Sequence, residues 1–259
     1  MTETQLNSEP YFEARNLVTS LGDQLIFNDL DLQVQQGESV VIMGRSGEGK
    51  SVLLRHLLGL MKPDSGKVFI RGTDITNFED IELMPFRKKM GILFQDGALF
   101  DFLTVADNVT FPLAEEGVED TDDLRDRARE ALKMVGLEEH MDELPMNLSG
   151  GMRKRVALAR ATITYPDCIL CDEPTAGLDP VAAADINLLI REMVDAYNAT
   201  AIVVTHDISS MNQIADRVVM LKNGKIDFSG TPEAINNSAD PSIKNFILGR
   251  SEHSKGEKV

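Results

Sequence analysis

Basic residues are scarce in this sequence. Its 259 residues include 26 Lys and Arg against 42 Asp and Glu, which gives a formal net charge of −16. Proteins that bind nucleic acids gain much of their affinity from cations that neutralise phosphates. The charge balance therefore argues against a nucleic acid as a partner, although it leaves room for a local basic patch.

Long apolar runs are also missing. No run approaches the roughly 18–20 apolar residues of a membrane-spanning helix, and the polar stretch Met1 to Glu9 has no signal-peptide core. The hydrophobic content of 42% is nevertheless ordinary for a globular protein with a sizeable core. We therefore expect a cytoplasmic protein that reaches a membrane only through a partner.

Cysteine is rare as well. The two cysteines, Cys168 and Cys171, have the C-x-x-C spacing of some metal and redox sites. They lie in an apolar run that predicts a strand, and residues three apart on a strand point to opposite faces. We expect two small buried side chains, not a metal site or a disulfide.

One glycine-rich stretch carries a specific signal. Residues 44–51 read GRSGEGKS and match G-x-x-x-x-G-K-[ST], between an apolar run at 39–43 and a predicted helix. Strand, loop and helix N-terminus together form a cradle for phosphates, whereas a chance glycine turn would lack these neighbours. The predicted phosphate-binding residues are Gly44, Arg45, Ser46, Gly47, Gly49, Lys50, Ser51 and Val52.

A second apolar run ends in two carboxylates, Asp172 and Glu173. Parallel sheets bind ligands at the carboxyl ends of their strands. Asp172 is therefore placed to hold Mg²⁺ together with Ser51, and Glu173 is placed to polarise the water that attacks a γ-phosphate.

Three more polar residues follow predicted strands at the same edge. Gln95 follows the run 90–94 and is a candidate for contacting Mg²⁺ and the attacking water. His206 follows the run 201–205 and is a candidate for binding the γ-phosphate, and Asp179 ends a turn beyond Glu173. His56 and His140 are interpreted as structural residues.

The segment Leu148 to Met152 reads LSGGM and predicts a helix capped by Ser149. The hydroxyl of Ser149 and the amides of Gly150 and Gly151 make a second anion site at that helix N-terminus. The alternative is an ordinary helix cap. Two incomplete sites in one chain favour head-to-tail pairing, in which each ATP lies between two copies.

Strand and helix signals alternate along most of the chain, which predicts an α/β fold with a parallel sheet. Strands are expected at 11–18, 25–34, 67–71, 90–94, 168–172, 200–205 and 217–221, with a break at Asn28-Asp29. Helices are expected at 81–89, interrupted at Pro85, and at 124–135, 150–165, 181–197, 207–215 and 241–249. The acidic segment 114–126 is interpreted as a solvated loop and helix start, with a docking patch as the alternative; 250–259 is expected to be disordered.

Taken in order, the motifs GRSGEGKS, Gln95, LSGGM, CILCDE, AGLD and His206 resemble the ATPase subunit of ABC transporters over residues 11–235. The resemblance implies a P-loop NTPase fold: a RecA-like core with an antiparallel β edge and an inserted α-helical subdomain. The ATPase domain would span 10–235, with its core at 10–96 and 163–235 and the helical subdomain at 97–162. Residues 236–259 would form a C-terminal extension.

The same resemblance implies roles for the site residues. Lys50 and Ser51 would bind ATP and Mg²⁺, Asp172 would assist the metal, and Glu173 would act as the base. Gln95 would sense the γ-phosphate, His206 would stabilise it, and Ser149 and Gly151 would act on the ATP of a second copy. Gly150 and Asp179 are also expected among the residues that bind the nucleotide.

Finer features resemble one branch of the family. The run FQDGALF at 94–100 and a methionine at position 152 resemble the ATPases of Mla-type (maintenance of outer-membrane lipid asymmetry) phospholipid transporters and their Mce-linked relatives. This implies an integral permease, a membrane-anchored lipid-binding Mce-type subunit, a STAS-domain protein, and a place on the cytoplasmic face of the inner membrane. Around Leu21-Gly22 the chain departs from the family pattern, because the aromatic residue that usually stacks on adenine is absent.

Three other functions remain open from the sequence. One is an ABC transporter ATPase for another cargo, such as an amino acid, a metal complex or a drug. Another is a soluble ABC ATPase of translation or DNA repair, which usually has two such domains or a coiled-coil insertion. The third, a module that binds ATP without hydrolysing it, is disfavoured by Glu173 and His206.

Overall fold

The structure is a computed structural model that describes residues 9–249. Its first sheet is antiparallel, with the strand order β2-β1-β4-β5. These strands are β1 (Phe12–Leu21), β2 (Gln24–Val34), β4 (Ser65–Ile70) and β5 (Thr73–Asp74). This sheet is the antiparallel edge that the family resemblance implies.

The second sheet has six strands in the order β10-β9-β3-β8-β7-β6. These are β3 (Ser39–Met43), β6 (Met90–Leu93), β7 (Cys168–Asp172), β8 (Thr200–Val204), β9 (Arg217–Lys222) and β10 (Lys225–Gly230). All neighbouring pairs are parallel except β9 and β10, which form a hairpin over Asn223-Gly224 as expected. Both turn residues have positive φ, the requirement of a tight two-residue turn.

Helices cover this sheet. In chain order they are α1 (Lys50–Leu57), α2 (Asp80–Arg87), α3 (Val105–Glu115), α4 (Thr121–Met134), α5 (Gly150–Thr162), α6 (Pro180–Tyr197), α7 (Ile208–Ile214), α8 (Pro232–Asn236) and α9 (Pro241–Ile247). Three of them, α3 to α5, lie between β6 and β7, which confirms the helical character predicted there. Their treatment as a separate subdomain stays a prediction.

Two hydrophobic cores lie on opposite faces of the six-stranded sheet. Val41 and Met43 of β3 belong to the core shared with α3 to α7, whereas Val40 and Ile42 belong to the core shared with α1 and the antiparallel sheet. A strand covered on both faces is apolar throughout, as residues 39–43 are.

The two cysteines follow the same alternation. Cys171 packs into the first core and Cys168 into the second, and both thiols are free and buried. Burial raises the pKa of both thiols. The expectation of two inert structural cysteines is confirmed.

Two predicted breaks are wrong. Strand β2 continues through Asn28-Asp29, because Asp29 adopts a φ of 64° and the irregularity is absorbed by shifts in the β1–β2 register. Helix α2 continues through Pro85, since a capping box between Glu79 and Glu82 stabilises its first turn. Losing one N–H donor is tolerated in such a short helix.

The chain ends fall partly outside the described residues. Helix α9 confirms the short terminal helix, while the disorder expected for 250–259 concerns residues that the structure does not describe. Between residues 9 and 249, no helix is both long enough and apolar enough to cross a bilayer.

Candidate active site

The site is organised by four parallel strands that end at one edge of the sheet. β3, β6, β7 and β8 run parallel, so the loops that follow them emerge together. These loops carry residues 44–49, Gln95, Glu173 and His206. The sequence prediction that these residues share an edge is therefore confirmed by the strand order.

The loop after β3 depends on glycine at two positions. Gly49 has a φ of 91°, and a Cβ there would lie 2.6 Å from Ile26 and 2.8 Å from Phe27. A Cβ on Gly44 would lie 2.9 Å from the Leu221 carbonyl oxygen. The loop therefore packs tightly on its neighbours and leads directly into the N-terminus of α1 at Lys50.

The side chain of Lys50 is buried against the loop that precedes it. Its Nζ atom donates to the carbonyl oxygens of Gly44 at 3.0 Å and Arg45 at 3.1 Å, and the side chain is 8% exposed. Burial lowers the pKa of Lys50, and the nearby carboxylates of Glu173 and Asp172 oppose this shift. A cation held this way is prepared to exchange loop carbonyls for phosphate oxygens.

Ser51 and Asp172 join α1 to the end of β7. The Ser51 hydroxyl donates to Oδ1 of Asp172 at 2.9 Å. Burial raises the pKa of Asp172, while the Ser51 hydrogen bond lowers it in part. A hydroxyl and a carboxylate are oxygen ligands of the kind that Mg²⁺ prefers.

The protein offers few further ligands for a metal. Within residues 9–249, His, Cys, Asp and Glu form no group of three or more that could hold an ion. Mg²⁺ typically takes one or two protein ligands and fills its octahedron with waters and substrate phosphates, so it does not require such a group.

Glu173 leaves the strand in an unusual conformation. Its φ is 48°, while its N–H still donates to the Val204 carbonyl at 2.8 Å. Left-handed backbone is unfavourable for a residue with a Cβ, and such residues cluster at functional sites. The carboxylate is 14% exposed and lies 3.9 Å from Lys50 Nζ and 3.0 Å from His206 Nδ1.

A cavity of about 660 Å³ lies among these loops. It is lined by six of the predicted site residues: Arg45, Ser46, Lys50, Gln95, Glu173 and His206. Its volume is within the usual range of small-molecule sites. The structure thus brings the phosphate loop, the candidate base and the two strand-end polar residues around one space.

Three residues of the cavity wall were not assigned to the site by sequence reasoning: Ala176, Phe246 and Gly249. Phe246 and Gly249, at the end of α9 and just beyond it, line the same cavity. The sequence predicted the helix but contains no motif that links it to the phosphate loop. The end of helix α9 is therefore adjacent to the site.

A second group of predicted residues lies at the N-termini of α5 and α6. Ser149 caps α5 by accepting from Met152 N, and Asp179 caps α6 by accepting from Val181 N and Ala182 N. A Cβ added to Gly150 would lie 3.7 Å from Leu178, and one added to Gly151 would lie 3.6 Å from Ala182. The two helix N-termini adjoin each other, and none of these residues lines the cavity.

The two remaining histidines of interest have structural partners. Buried His56 contacts Thr19 Oγ1 through Nε2 at 2.9 Å and the Met61 carbonyl oxygen through Nδ1 at 2.8 Å. His140 contacts Glu143 at 2.8 Å. None of these three partners was identified from the sequence, which nevertheless assigned the two histidines no catalytic role.

The place expected for an adenine-stacking residue is aliphatic. Leu21 ends β1 at its hairpin and is 43% exposed. An exposed leucine can pack on the face of a base but supplies no ring for stacking.

Comparisons with known proteins agree with this geometry. Residues 27–176 match the family described as ABC transporter. The chain is 40% identical over 238 residues to the probable ribonucleotide transport ATP-binding protein Mkl of Mycobacterium leprae, covering 92% of this chain and 69% of that protein. It is 39% identical over 240 residues to the intermembrane phospholipid transport system ATP-binding protein MlaF of Haemophilus influenzae, covering 93% of this chain and 91% of that protein.

Relatives named for other cargoes are almost as similar. ATP-binding proteins named for glycine betaine/proline betaine transport and for methionine import are 37% and 38% identical, respectively. Among solved structures, the ATP-binding cassette MJ0796, a dimer in a post-hydrolysis state with ADP and Pi, superimposes with a TM-score of 0.78. It is 34% identical, and the match covers 85% of this chain and 98% of that one.

The family match, the curated relatives and the ADP-bound cassette all point to one family: the chain belongs to the ABC transporter family as an ATPase with the P-loop cassette fold.

Proposed function

We propose that this chain is the ATP-hydrolysing subunit of an ABC transporter that moves phospholipid between bacterial membranes through a partner permease. The observation that carries the ATPase part is the cavity in which the phosphate loop, Glu173 and His206 meet. The cargo rests on the resemblance of residues 94–100 and Met152 to Mla-type ATPases, and on the MlaF relative matched over 91% of its length.

ATP enters the cavity with its phosphates on the loop 44–51. Backbone N–H groups of the loop and the N-terminus of α1 attract the anion, and Lys50 transfers its hydrogen bonds from the carbonyls of Gly44 and Arg45 to phosphate oxygens. Exchange of neutral acceptors for charged ones strengthens each of these hydrogen bonds.

The residues present fit a magnesium ion. Ser51 and Asp172 would hold it, directly or through water, and Gln95 would supply a further oxygen ligand. When bound, Mg²⁺ neutralises phosphate charge in the transition state.

Glu173 is the residue that activates water. Its carboxylate is largely buried between Lys50 and His206. In the reaction, this carboxylate accepts the proton of the attacking water. An ionised carboxylate only accepts hydrogen bonds, so in this contact Nδ1 of His206 carries the proton. The other ring nitrogen is left for the γ-phosphate, to which it donates when protonated.

The second group of residues completes the site of another copy. Ser149, Gly150 and Gly151 lie at a helix N-terminus, do not line their own cavity, and are half-buried or exposed. Head-to-tail pairing of two copies would place them on the partner's ATP, with Asp179 beside them at the same surface. The MJ0796 cassette that matches this chain is a dimer.

Coupling to transport requires a membrane partner. The proposed assembly contains two copies of this chain on the cytoplasmic face of the inner membrane, an integral permease, a membrane-anchored Mce-type subunit and a STAS-domain protein. Nucleic acid is not a partner in this proposal, in keeping with the net charge of −16.

A second candidate is the same ATPase serving another cargo. Relatives named for methionine or glycine betaine/proline betaine transport differ in identity from the MlaF relative by one or two per cent. The permease, and not the ATPase, contacts the cargo, so these sequences separate cargoes poorly.

Purification of the intact complex tests the proposal. The chain is isolated with its partners from detergent-solubilised membranes, and the bound lipids and the ATPase response to added phospholipid are measured. Co-purifying phospholipid that stimulates turnover supports the proposed cargo. A complex without phospholipid, stimulated instead by an amino acid or betaine, would reject that cargo and leave the ATPase intact.

A further inference from the structure

Helix α5, which is capped by Ser149, also forms hydrogen bonds with the loop that contains Gln95. The ammonium of Lys154 in α5 donates to the carbonyl oxygen of Gln95. Arg160, two turns further along α5, donates to the carbonyl oxygens of Gly97 at 2.7 Å and Ala98 at 2.6 Å. One helix therefore binds three carbonyls of the loop 95–98.

Packing joins the same two elements. A Cβ on Gly97 would lie 3.4 Å from the Cβ of Ala157, which is located between Lys154 and Arg160 on α5. In β6 itself, a Cβ on Gly91 would collide with the carbonyl oxygen of Ala161. Backbone approach this close leaves no room for α5 to slide independently of β6 and its loop.

The loop is held in a conformation that it would not adopt freely. Gly97 and Ala98 have φ angles of 75° and 48°, and the left-handed region is unfavourable for alanine. Such a conformation persists only where the surroundings determine it. The two hydrogen bonds from Arg160 end on these same residues and supply that constraint.

Packing alone does not explain a lysine at position 154. The side chain is 6% exposed, and burial lowers the pKa of Lys154, while the carboxylates of Asp96, Asp172 and Glu173 act in the opposite direction. An apolar side chain would fill a buried position without the cost of removing a charge from water. We therefore attribute the presence of a buried ammonium group at position 154 to its hydrogen bond with the carbonyl oxygen of Gln95.

We propose that Lys154 is a positioning residue that fastens the Gln95 loop to α5, so that the loop and the turn 149–151 move as one unit. The inference rests on the proposed function, in which Gln95 acts at the chain's own ATP and Ser149 acts at the ATP of the second copy. When Gln95 moves toward bound ATP, the turn 149–151 moves with it and changes its position at the ATP of the other copy. Lys154 itself acts through Gln95 and couples the two ATP sites of the dimer.

The test compares Lys154→Met, Lys154→Arg and a control, Lys133→Met, which removes one charge from an exposed position at the end of α4. ATP turnover is measured against ATP concentration in the assembled complex, and ATP binding is measured separately. The wild-type protein and the control should show a Hill coefficient clearly above 1 and at most about 2, the number of sites. Lys154→Met should bind ATP within about twofold of wild type, lose about tenfold in kcat, and show a Hill coefficient near 1.

Lys154→Arg keeps a cationic donor and should recover much of both kcat and cooperativity. A Lys154→Met protein with wild-type kcat and Hill coefficient would overturn the proposal, and so would one that loses kcat while cooperativity stays intact. If Lys154→Met does not fold, Arg160→Lys keeps the charge at the second anchor but weakens its paired hydrogen bonds, and the same loss of cooperativity is expected. A wild-type protein with a Hill coefficient of 1 would also overturn the proposed coupling, whereas a wild-type protein that stays monomeric with Mg-ATP would reject the two-copy site on which the inference depends.

Discussion

Nδ1 of His206 lies 3.0 Å from Oε2 of Glu173, and the two residues follow neighbouring parallel strands. The contact joins the candidate base to the candidate γ-phosphate ligand. His206 is 67% exposed and Glu173 is 14% exposed, so the histidine forms the outer wall and the carboxylate the inner one.

Replacing His206 should slow hydrolysis more than it weakens binding. His206→Ala removes the Glu173 contact and a phosphate ligand, and we expect turnover to fall about 100-fold, the lower range for a general acid–base partner. ATP affinity should change only a few-fold. Steady-state turnover and equilibrium ATP binding provide the check, with His140→Ala as the control because His140 pairs with Glu143 away from the cavity. Turnover in His206→Ala equal to that of the control would contradict the role.

Lys50→Ala should abolish productive ATP binding. The variant removes charge-assisted hydrogen bonds to the phosphates, which predicts at least about tenfold weaker binding of ATP and a larger loss of turnover. Lys62→Ala is the matched control, since Lys62 is an exposed lysine paired with Glu79. Unchanged ATP affinity in Lys50→Ala would reject the phosphate cradle.

Ser51→Ala should change the dependence on magnesium. The variant removes one oxygen ligand and leaves Asp172 without its hydrogen bond, so the Mg²⁺ concentration for half-maximal turnover should rise about tenfold. Turnover at several Mg²⁺ concentrations measures this shift, with Ser20→Ala in the exposed part of β1 as the control. The same half-maximal concentration in both variants would contradict a metal site at Ser51.

His56 should make stability depend on pH. Burial lowers the pKa of His56 below its ordinary value of 6.5. Between the folded pKa and 6.5 the unfolded chain binds more protons, so the stabilisation present above pH 6.5 is lost as the pH falls.

Chemical unfolding at pH 7 and pH 5 measures that loss. Wild type should lose more free energy of unfolding over this interval than His56→Gln, which cannot take up the proton. Equal losses in wild type and His56→Gln would show that another group carries the dependence. The variant should also be less stable at pH 7, because the contacts to Thr19 and Met61 tie α1 to β1 and to the chain beyond the helix.

The sequence predicted the parts of the site that depend on local pattern. Glycines at 44, 47 and 49, the lysine at the helix start and the carboxylates after β7 are read from a few neighbouring residues, and strand alternation placed them at one edge. The opposite faces of Cys168 and Cys171 followed from the two-residue period of a strand.

The errors and omissions concern contacts between distant parts of the chain. Strand β2 accommodates Asp29 through a shift in its pairing with β1, and the Asn16 side chain donates a hydrogen bond to the Asp29 carboxylate there. Nothing in the sequence near Asn16 indicates this contact. Phe246 reaches the cavity from the C-terminal extension. The hydrogen bond from Lys154 to the Gln95 carbonyl joins residues that are 59 apart in sequence, and neither segment alone predicts it.

The central claim is that ATP is hydrolysed at a site shared by two copies of this chain, with Glu173 as the base. Glu173→Gln tests it most directly, because the amide keeps the shape of the side chain but cannot take the proton. The mass of the purified variant is measured with and without Mg-ATP, together with its rate of phosphate release. We expect the variant to form a dimer with ATP that persists, and its turnover to fall by at least about 100-fold. Phosphate release near the wild-type rate, or a variant that stays monomeric in saturating Mg-ATP, would contradict it.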